Sequence, residues 1–235
     1  MRRAKWIWHS MTGTETDTIK MENQVGRDLA HEIRNQAELD KDSRIEQILN
    51  ETGFRLSRCV ANESRTFSFE ALSGGEPNAF ALPGGFIFVT RSIIELCQWD
   101  RDETAFVIAH EMAHVIRKHA INRLMRDFAV NAASRVVPSR GAITGWVKNV
   151  GVKYLESAYS QELEFQADKL GVRLVEAAGF APESSITLLR RLGNLKSSEN
   201  RIDIGDYFST HPPFEERVRN INEQIKMLKG GSKNL

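Results

Sequence analysis

The sequence has almost no cysteine. Cys59 and Cys97 are the only two thiols in 235 residues, and their positions match neither a disulfide framework nor a zinc or redox spacing. Two reduced, mostly buried thiols are expected. Long hydrophobic runs are missing as well. The longest stretch free of charged, histidine and amide residues is Ala79–Thr90, interrupted by Pro83-Gly84-Gly85, well short of the ~20 residues of a membrane-spanning helix. The basic start Met1-Arg2-Arg3-Ala4-Lys5 is followed only by Trp6-Ile7-Trp8 before His9. That is too short for the ~7–15 residue apolar core of a secretory signal. As written, the chain is expected to be cytoplasmic, or periplasmic or membrane-associated if a further segment precedes it. An excess of one charge is also absent. Lys and Arg total 32 against 31 Asp and Glu, a net charge of +1, which removes the electrostatic case for nucleic acid as a partner.

What is present is the composition of a globular domain, 41% hydrophobic and 27% charged, in a chain long enough to bury a core without crosslinks. Residues 1–18 are expected as a flexible tail, 19–229 as one domain and 230–235 as a second tail. From Ile19 to Ser57 the apolar spacing is helical, with a break near Asp40-Lys41-Asp42-Ser43. Arg65–Leu72 alternates like a strand, and two short strands, Asn78–Leu82 and Phe86–Thr90, flank the Pro-Gly-Gly break. A short helix, Ile93–Cys97, leads to Asp100-Arg101-Asp102-Glu103, a capping-box arrangement opening a helix from about Asp102 to Arg126. Further helical pattern spans 141–178, and two more helices follow Pro182 and Pro212-Pro213.

The residues that carry chemistry begin with His110-Glu111-Met112-Ala113-His114, an HExxH pattern. On a helix, residues four apart lie about 40° apart round the axis, so His110 and His114 share a face. Two such imidazoles can both reach one Zn2+. Glu111 lies about 100° from His110 and is placed to reach a bound water rather than the ion. The flanking Ala105–Ala109, Met112, Ala113, Val115 and Ile116 are apolar nearly all round, which predicts a buried helix. A carboxylate buried between two histidines is costly unless a metal organises them.

A third ligand is needed. A histidine six residues after His114 is ruled out by Ala120, and on a continuous helix His119 falls about 180° from His110 and reads as a solvated surface residue. A later helix offers Glu164 with Asp168 one turn on, in Glu164-Phe165-Gln166-Ala167-Asp168. Glu164 can complete the ligand set while Asp168 accepts a ring N–H of a ligand histidine; an ordinary structural carboxylate is the alternative for Asp168. Glu162 lies about 200° round from Glu164 and has Gln166 rather than a carboxylate one turn on.

In this order these residues resemble the gluzincin zinc metallopeptidases of the HtpX-like and CAAX prenyl-protein endopeptidase group, and most closely its soluble bacterial members. Asn78–Gly85 is similar to the group's segment before its substrate-side strand. His110–His114 resembles its metal helix and Glu164–Asp168 its ExxAD element. Ser209-Thr210-His211-Pro212-Pro213, with Glu215, Glu216 and Arg217, resembles its late His-Pro-Pro segment. The resemblance covers residues 20–225. It implies an α+β, zincin-like fold, mostly helical with a small mixed sheet beside the HExxH helix. It also implies one Zn2+ per chain on His110, His114 and Glu164, and a zinc-dependent endopeptidase with Glu111 as base. The oxyanion contacts fall to His211 and Arg217, although His211 also reads as a helix-entry residue and Arg217 as a surface partner of Glu215 or Glu216. The substrate is a polypeptide, unfolded or flexible, paired along Gly85, Phe86, Ile87 and Phe88 if that strand is an edge; an ordinary core strand is the equal alternative.

Two departures qualify the match. Gln161 stands where the group often has Arg, and no hydrophobic spans occur, so a prenyl-protein substrate is not carried over. Residues 121–157 read as a helical hairpin, with a lid or a peripheral membrane contact as the other readings. From a different functional class, the competing reading is a zinc-holding chaperone or adaptor with little turnover; Glu111 argues against it.

Overall fold

The computed structural model describes residues 15–131, 145, 159–197 and 214–231. Helix α1, Glu15–Gln36, starts four residues earlier than expected, with Glu15 and Asp17 in its first turn, where acidic side chains suit the helix dipole. The break at residues 37–42 is real. Asp42 caps helix α2, Ser43–Ser57, by accepting the Arg44 amide, and Arg91 ties Asp42 and Asp40 together from outside.

Strands β1 (Ser68–Leu72), β2 (Ala79–Leu82) and β3 (Phe86–Thr90) form one mixed sheet in the order β1-β3-β2. β1 runs parallel to β3, and β2 pairs antiparallel with β3 in the register Phe80–Phe88 and Leu82–Phe86. The tight hairpin depends on Pro83-Gly84-Gly85. Gly84 and Gly85 have φ of 80° and 92°, and a Cβ on Gly85 would sit 2.1 Å from the Thr66 carbonyl. No other residue type fits there.

β3 is therefore the central strand. That overturns the expectation that Gly85, Phe86, Ile87 and Phe88 bind substrate along an open edge, because the main-chain groups of β3 are already shared between β1 and β2. The sheet is covered on both faces. Ala79, Ala81, Ile87 and Val89 join the core built on the HExxH helix, while Phe80, Leu82 and Phe88 pack with α1 residues Val25, Leu29 and Ile33. Burial on both sides explains why β2 and β3 read as unbroken apolar runs rather than alternating ones.

Helix α3, Arg91–Leu96, leads to α4, Arg101–Ile116. Asp100 caps α4 through the amides of Asp102 and Glu103. Glu103 does not close the expected capping box; it is buried and pairs with Arg191. Every residue of α4 from Glu103 to Val115 is buried. The helix expected to continue to Arg126 ends at Ile116. Lys118 takes a left-handed φ of 61°, the amides of Arg117 and Lys118 close back on Ala113 and Val115, and a separate helix, α5, His119–Asn131, follows. No glycine or proline marks this break, which is why the spacing concealed it.

Helices α6 (Gln161–Ala177), α7 (Ser184–Ser197) and α8 (Phe214–Gly231) complete the described chain. α8 continues through Gly230, one of the residues expected to fray. α6 packs along α4 with Gly171 against the His110 backbone, where an added Cβ would lie 3.2 Å from the His110 nitrogen. Among the described residues no helix is long and apolar enough to cross a membrane. The expectations for the hairpin beyond Asn131, and for the entry to α8 at His211-Pro212-Pro213, lie outside the described residues. The observed architecture is α+β and zincin-like, as expected.

Candidate metal centre

Two adjacent helices build the centre. α4 presents His110 and His114 from one face, and α6 presents Glu164 and Asp168 from consecutive turns. His110, Glu111, His114, Glu164 and Asp168 are all at most 2% exposed. The Nε2 atoms of His110 and His114 are 3.1 Å apart. The Glu164 carboxylate faces both, with Oε2 3.4 Å from His110 Nε2 and Oε1 3.4 Å from His114 Nε2. A tetrahedral zinc with ligand bonds of ~2.0–2.1 Å has ligand-to-ligand edges of ~3.3 Å. Ligand atoms from the three residues lie within 4.8 Å of one another, close enough to converge on such an ion, and the donor set of two imidazoles and one carboxylate is one that zinc takes in hydrolases. His110, His114 and Glu164 are the group that could hold a metal among the described residues. Glu162 lies on the exposed side of α6.

Behind the ligand cluster is an ordered outer layer. The Nδ1 of His110 is 3.0 Å from Asp168 Oδ1, an acceptor that keeps the proton on Nδ1 and leaves Nε2 free to ligate. Arg217, from α8, is fully buried. Its Nε and Nη2 donate to the two oxygens of Asp168 at 2.8 and 2.7 Å, and its Nη1 lies 3.6 Å from Glu164 Oε2. Arg217 is thus no surface partner of its neighbours. Glu216 instead meets Arg219 at 3.5 Å and accepts from Gln161. That hydrogen bond is made by the glutamine that departs from the resembling group's pattern.

On the far side of His114 stand three residues that the sequence reading missed. His119 is buried, with its Nδ1 3.1 Å from His114 Nδ1. This corrects the expectation of a solvated histidine: the turn at Lys118 swings the first residue of α5 back toward the site. Tyr159 stacks on the His114 ring, with centroids 4.0 Å apart and planes 22° apart. The Arg123 guanidinium covers Tyr159, 4.3 Å from its ring centre. His119 and Arg123 are four residues apart on α5, a pairing that the sequence shows but that means nothing until the helix break is known.

Burial and charge set the protonation of the cluster. Burial pushes the Glu111 carboxyl up to about 8, against the pull of nearby cationic groups, His110 foremost. Burial works to lower His110, but bonds to Asp168 and Glu164 override it and raise the ring to about 9. For Asp168 burial works upward, and the charge and hydrogen bonds of Arg217 outweigh it, holding the carboxyl at about 2. Burial lowers His119 below its ordinary value.

A buried His-His-Glu cluster with a glutamate beside it is a donor set used by several kinds of zinc hydrolase, and the sequence comparison narrows it to one family. The model of peptidase family M48 matches residues 40–225. The chain belongs to peptidase family M48. Among similar proteins, the mitochondrial metalloendopeptidase OMA1 of Saccharomyces cerevisiae is 32% identical over 63% of this chain and 44% of its own length. The beta-barrel assembly-enhancing protease of Escherichia coli strain K12 is 25% identical over 91% of this chain and 46% of its own length. The metalloprotease LoiP of the same strain is 26% identical over 67% of this chain and 62% of its own. The chain thus spans less than half the length of the first two of these M48 relatives.

Proposed function

We propose that this M48 chain is a zinc-dependent endopeptidase acting on unfolded or flexible protein segments. One Zn2+ is held by His110, His114 and Glu164, and Glu111 acts as general base. The observation that carries the reading is the buried ligand cluster: the two imidazole Nε2 atoms lie 3.1 Å apart, and one oxygen of the Glu164 carboxylate lies 3.4 Å from each of them, Oε2 from His110 and Oε1 from His114. Zinc bound there supplies Lewis acidity, polarising a peptide carbonyl and lowering the pKa of the attacking water. Everything else falls to side chains. Glu111, buried one residue from His110, accepts the water proton and returns it to the departing amine. Asp168 holds His110 in the tautomer that offers Nε2. Arg217 holds Asp168 and Glu164 in place. Its two-point bond to Asp168 points to that task rather than to direct oxyanion contact, which leaves the oxyanion to His211.

Substrate pairing passes from β3 to β2. Thr90 donates its amide to the Asn78 carbonyl, so the hydrogen-bonded pairs of the hairpin are Asn78–Thr90, Phe80–Phe88 and Leu82–Phe86. The main-chain groups of Ala79 and Ala81 then face away from β3. The Ala79 amide is met by Asn78 Oδ1 at 2.9 Å, which leaves Ala81 to pair with an extended peptide. Such pairing reads little sequence and demands an unfolded segment. The metalloendopeptidase and protease names of the relatives support a polypeptide substrate and a place in protein quality control.

The test is Glu111→Gln. Elemental analysis should still find one zinc per chain, while cleavage of casein falls by about 100-fold or more; phenanthroline should silence the unaltered protein. Unaltered cleavage by the variant would remove Glu111 from the chemistry. Zinc binding with no cleavage by either protein would favour the chaperone or adaptor reading.

A further inference from the structure

The outer layer around the metal-ligand cluster has two halves, and only one is explained by the carboxylate of Asp168. His110 is backed by Asp168. His114 needs the same service. Its Nε2 faces His110 and Glu164, so when it ligates a metal its proton must sit on Nδ1, and a donor buried at 0% exposure needs an acceptor. Nδ1 of His119 lies 3.1 Å from His114 Nδ1.

We propose that His119 is a positioning residue for the metal centre: its Nδ1 accepts the His114 Nδ1–H and fixes the tautomer that turns His114 Nε2 inward. The inference rests on the zinc reading above. With Nδ1 accepting, His119 carries its proton on Nε2. The Gln166 side chain is hydrogen-bonded to His119, and with Nδ1 given to His114 the donor in that bond is Nε2–H. The Gln166 amide nitrogen is directed at Glu162 Oε1, 3.4 Å away, which leaves its oxygen for the His119 N–H. A directed chain results: His114 to His119 to Gln166 to the exposed Glu162. Each member donates outward, so one arrangement of protons satisfies them all. Tyr159 completes the support. Stacked at 4.0 Å, it keeps the His114 ring from turning away from His119, with Arg123 against its outer face.

The two halves differ in charge. His110 leans on a carboxylate and His114 on a neutral ring. A second carboxylate would cancel the residual positive charge of a His-His-Glu zinc site; a neutral acceptor orients His114 without doing so. The break at Lys118 gives this arrangement its purpose, because on an unbroken helix His119 would face the opposite side.

The experiment measures Zn2+ affinity of the whole chain by competition with a coloured chelator, beside thermal unfolding of the metal-free protein. His119→Ala should weaken zinc binding by about 10–100-fold. His119→Gln, whose side-chain oxygen can accept the same N–H, should recover most of that loss. Gln166→Leu leaves His119 in place without its outer acceptor and should cost a few-fold; it also decides the matter if His119→Ala does not fold. Alanine and glutamine variants equally weak would overturn the proposal, showing lost packing rather than a lost acceptor. Affinity unchanged in all three would overturn it as well. An unaltered protein that binds no zinc would instead sink the reading beneath it, and the two failures are thereby distinct.

Discussion

A guanidinium with no exposed surface, as in Arg217, must find its acceptors inside the protein. It finds them in a planar, two-point bond to Asp168, with a Glu164 oxygen 3.6 Å from its Nη1. Removing it leaves two buried carboxylates facing each other across His110. Arg217→Ala should therefore cost about 3–5 kcal/mol of stability, read from the urea midpoint of the metal-free protein. Arg217→Lys, which keeps the charge but not the planar fork, should recover only part of it. An unmoved midpoint in the alanine variant would mean that the pair contributes nothing. Residues of this kind were half legible. His110, Glu111 and His114 needed only helical spacing, and Glu164 stood out from Glu162 because Asp168 followed it by one turn. Arg217 did not disclose its role. After Glu215-Glu216 it looks like part of a solvated face, and only the packing of α8 against α6 buries it.

At the scale of elements, the helices and strands were largely present in the spacing, and their junctions were not. The Asp42 cap and the Pro83-Gly84-Gly85 hairpin carry their own chemistry, so both were readable. The stop at Ile116 has no such mark; Arg117 and Lys118 are good helix formers, and the break is imposed by where α5 must pack. Strand order was likewise invisible, since a run buried on both faces looks the same in the middle of a sheet as at a covered edge. With β3 in the middle, the outward main-chain groups of β2 become the place to test peptide pairing. Ala81→Pro removes the amide directed away from β3 and none of the ladder bonds between the two strands, a position where an edge strand tolerates proline. The expected outcome is a raised KM for an unfolded substrate, by about 10-fold for one lost hydrogen bond, with zinc content and melting temperature close to those of the parent. An unaltered KM in a folded, zinc-loaded variant would remove β2 from substrate binding.

For the molecule as a whole, the centre makes stability fall with rising pH in the metal-free protein, and metal binding offsets that fall. In the metal-free protein, Glu111 is raised from 4.5 to about 8 and His110 from 6.5 to about 9. Both groups hold their protons more tightly folded than unfolded. Between pH 4.5 and 8 the unfolded chain has lost the Glu111 proton and the fold has kept it, and the same holds for His110 between 6.5 and 9. Over such intervals stability falls as pH rises. The contribution of Asp168, lowered from 3.8 to about 2, is fully present above 3.8 and adds no slope there. From pH 6.5 to 8 the two raised groups act together, each at up to about 1.4 kcal/mol per pH unit, enough to lower the melting temperature by several degrees. Zinc removes this slope, because it requires the ligands deprotonated and binds more tightly as protons leave, so the loaded fold no longer holds protons that the unfolded chain has lost. It stabilises the fold by about 4 kcal/mol when free zinc is a thousand times its dissociation constant. The gap in melting temperature between zinc-loaded and chelator-treated protein should therefore widen steadily from about pH 6.5 to about pH 8. Thermal scans at fixed free zinc across that range measure it. A gap that stays constant or narrows would mean that His110 and Glu111 are not the groups exchanging protons for the ion.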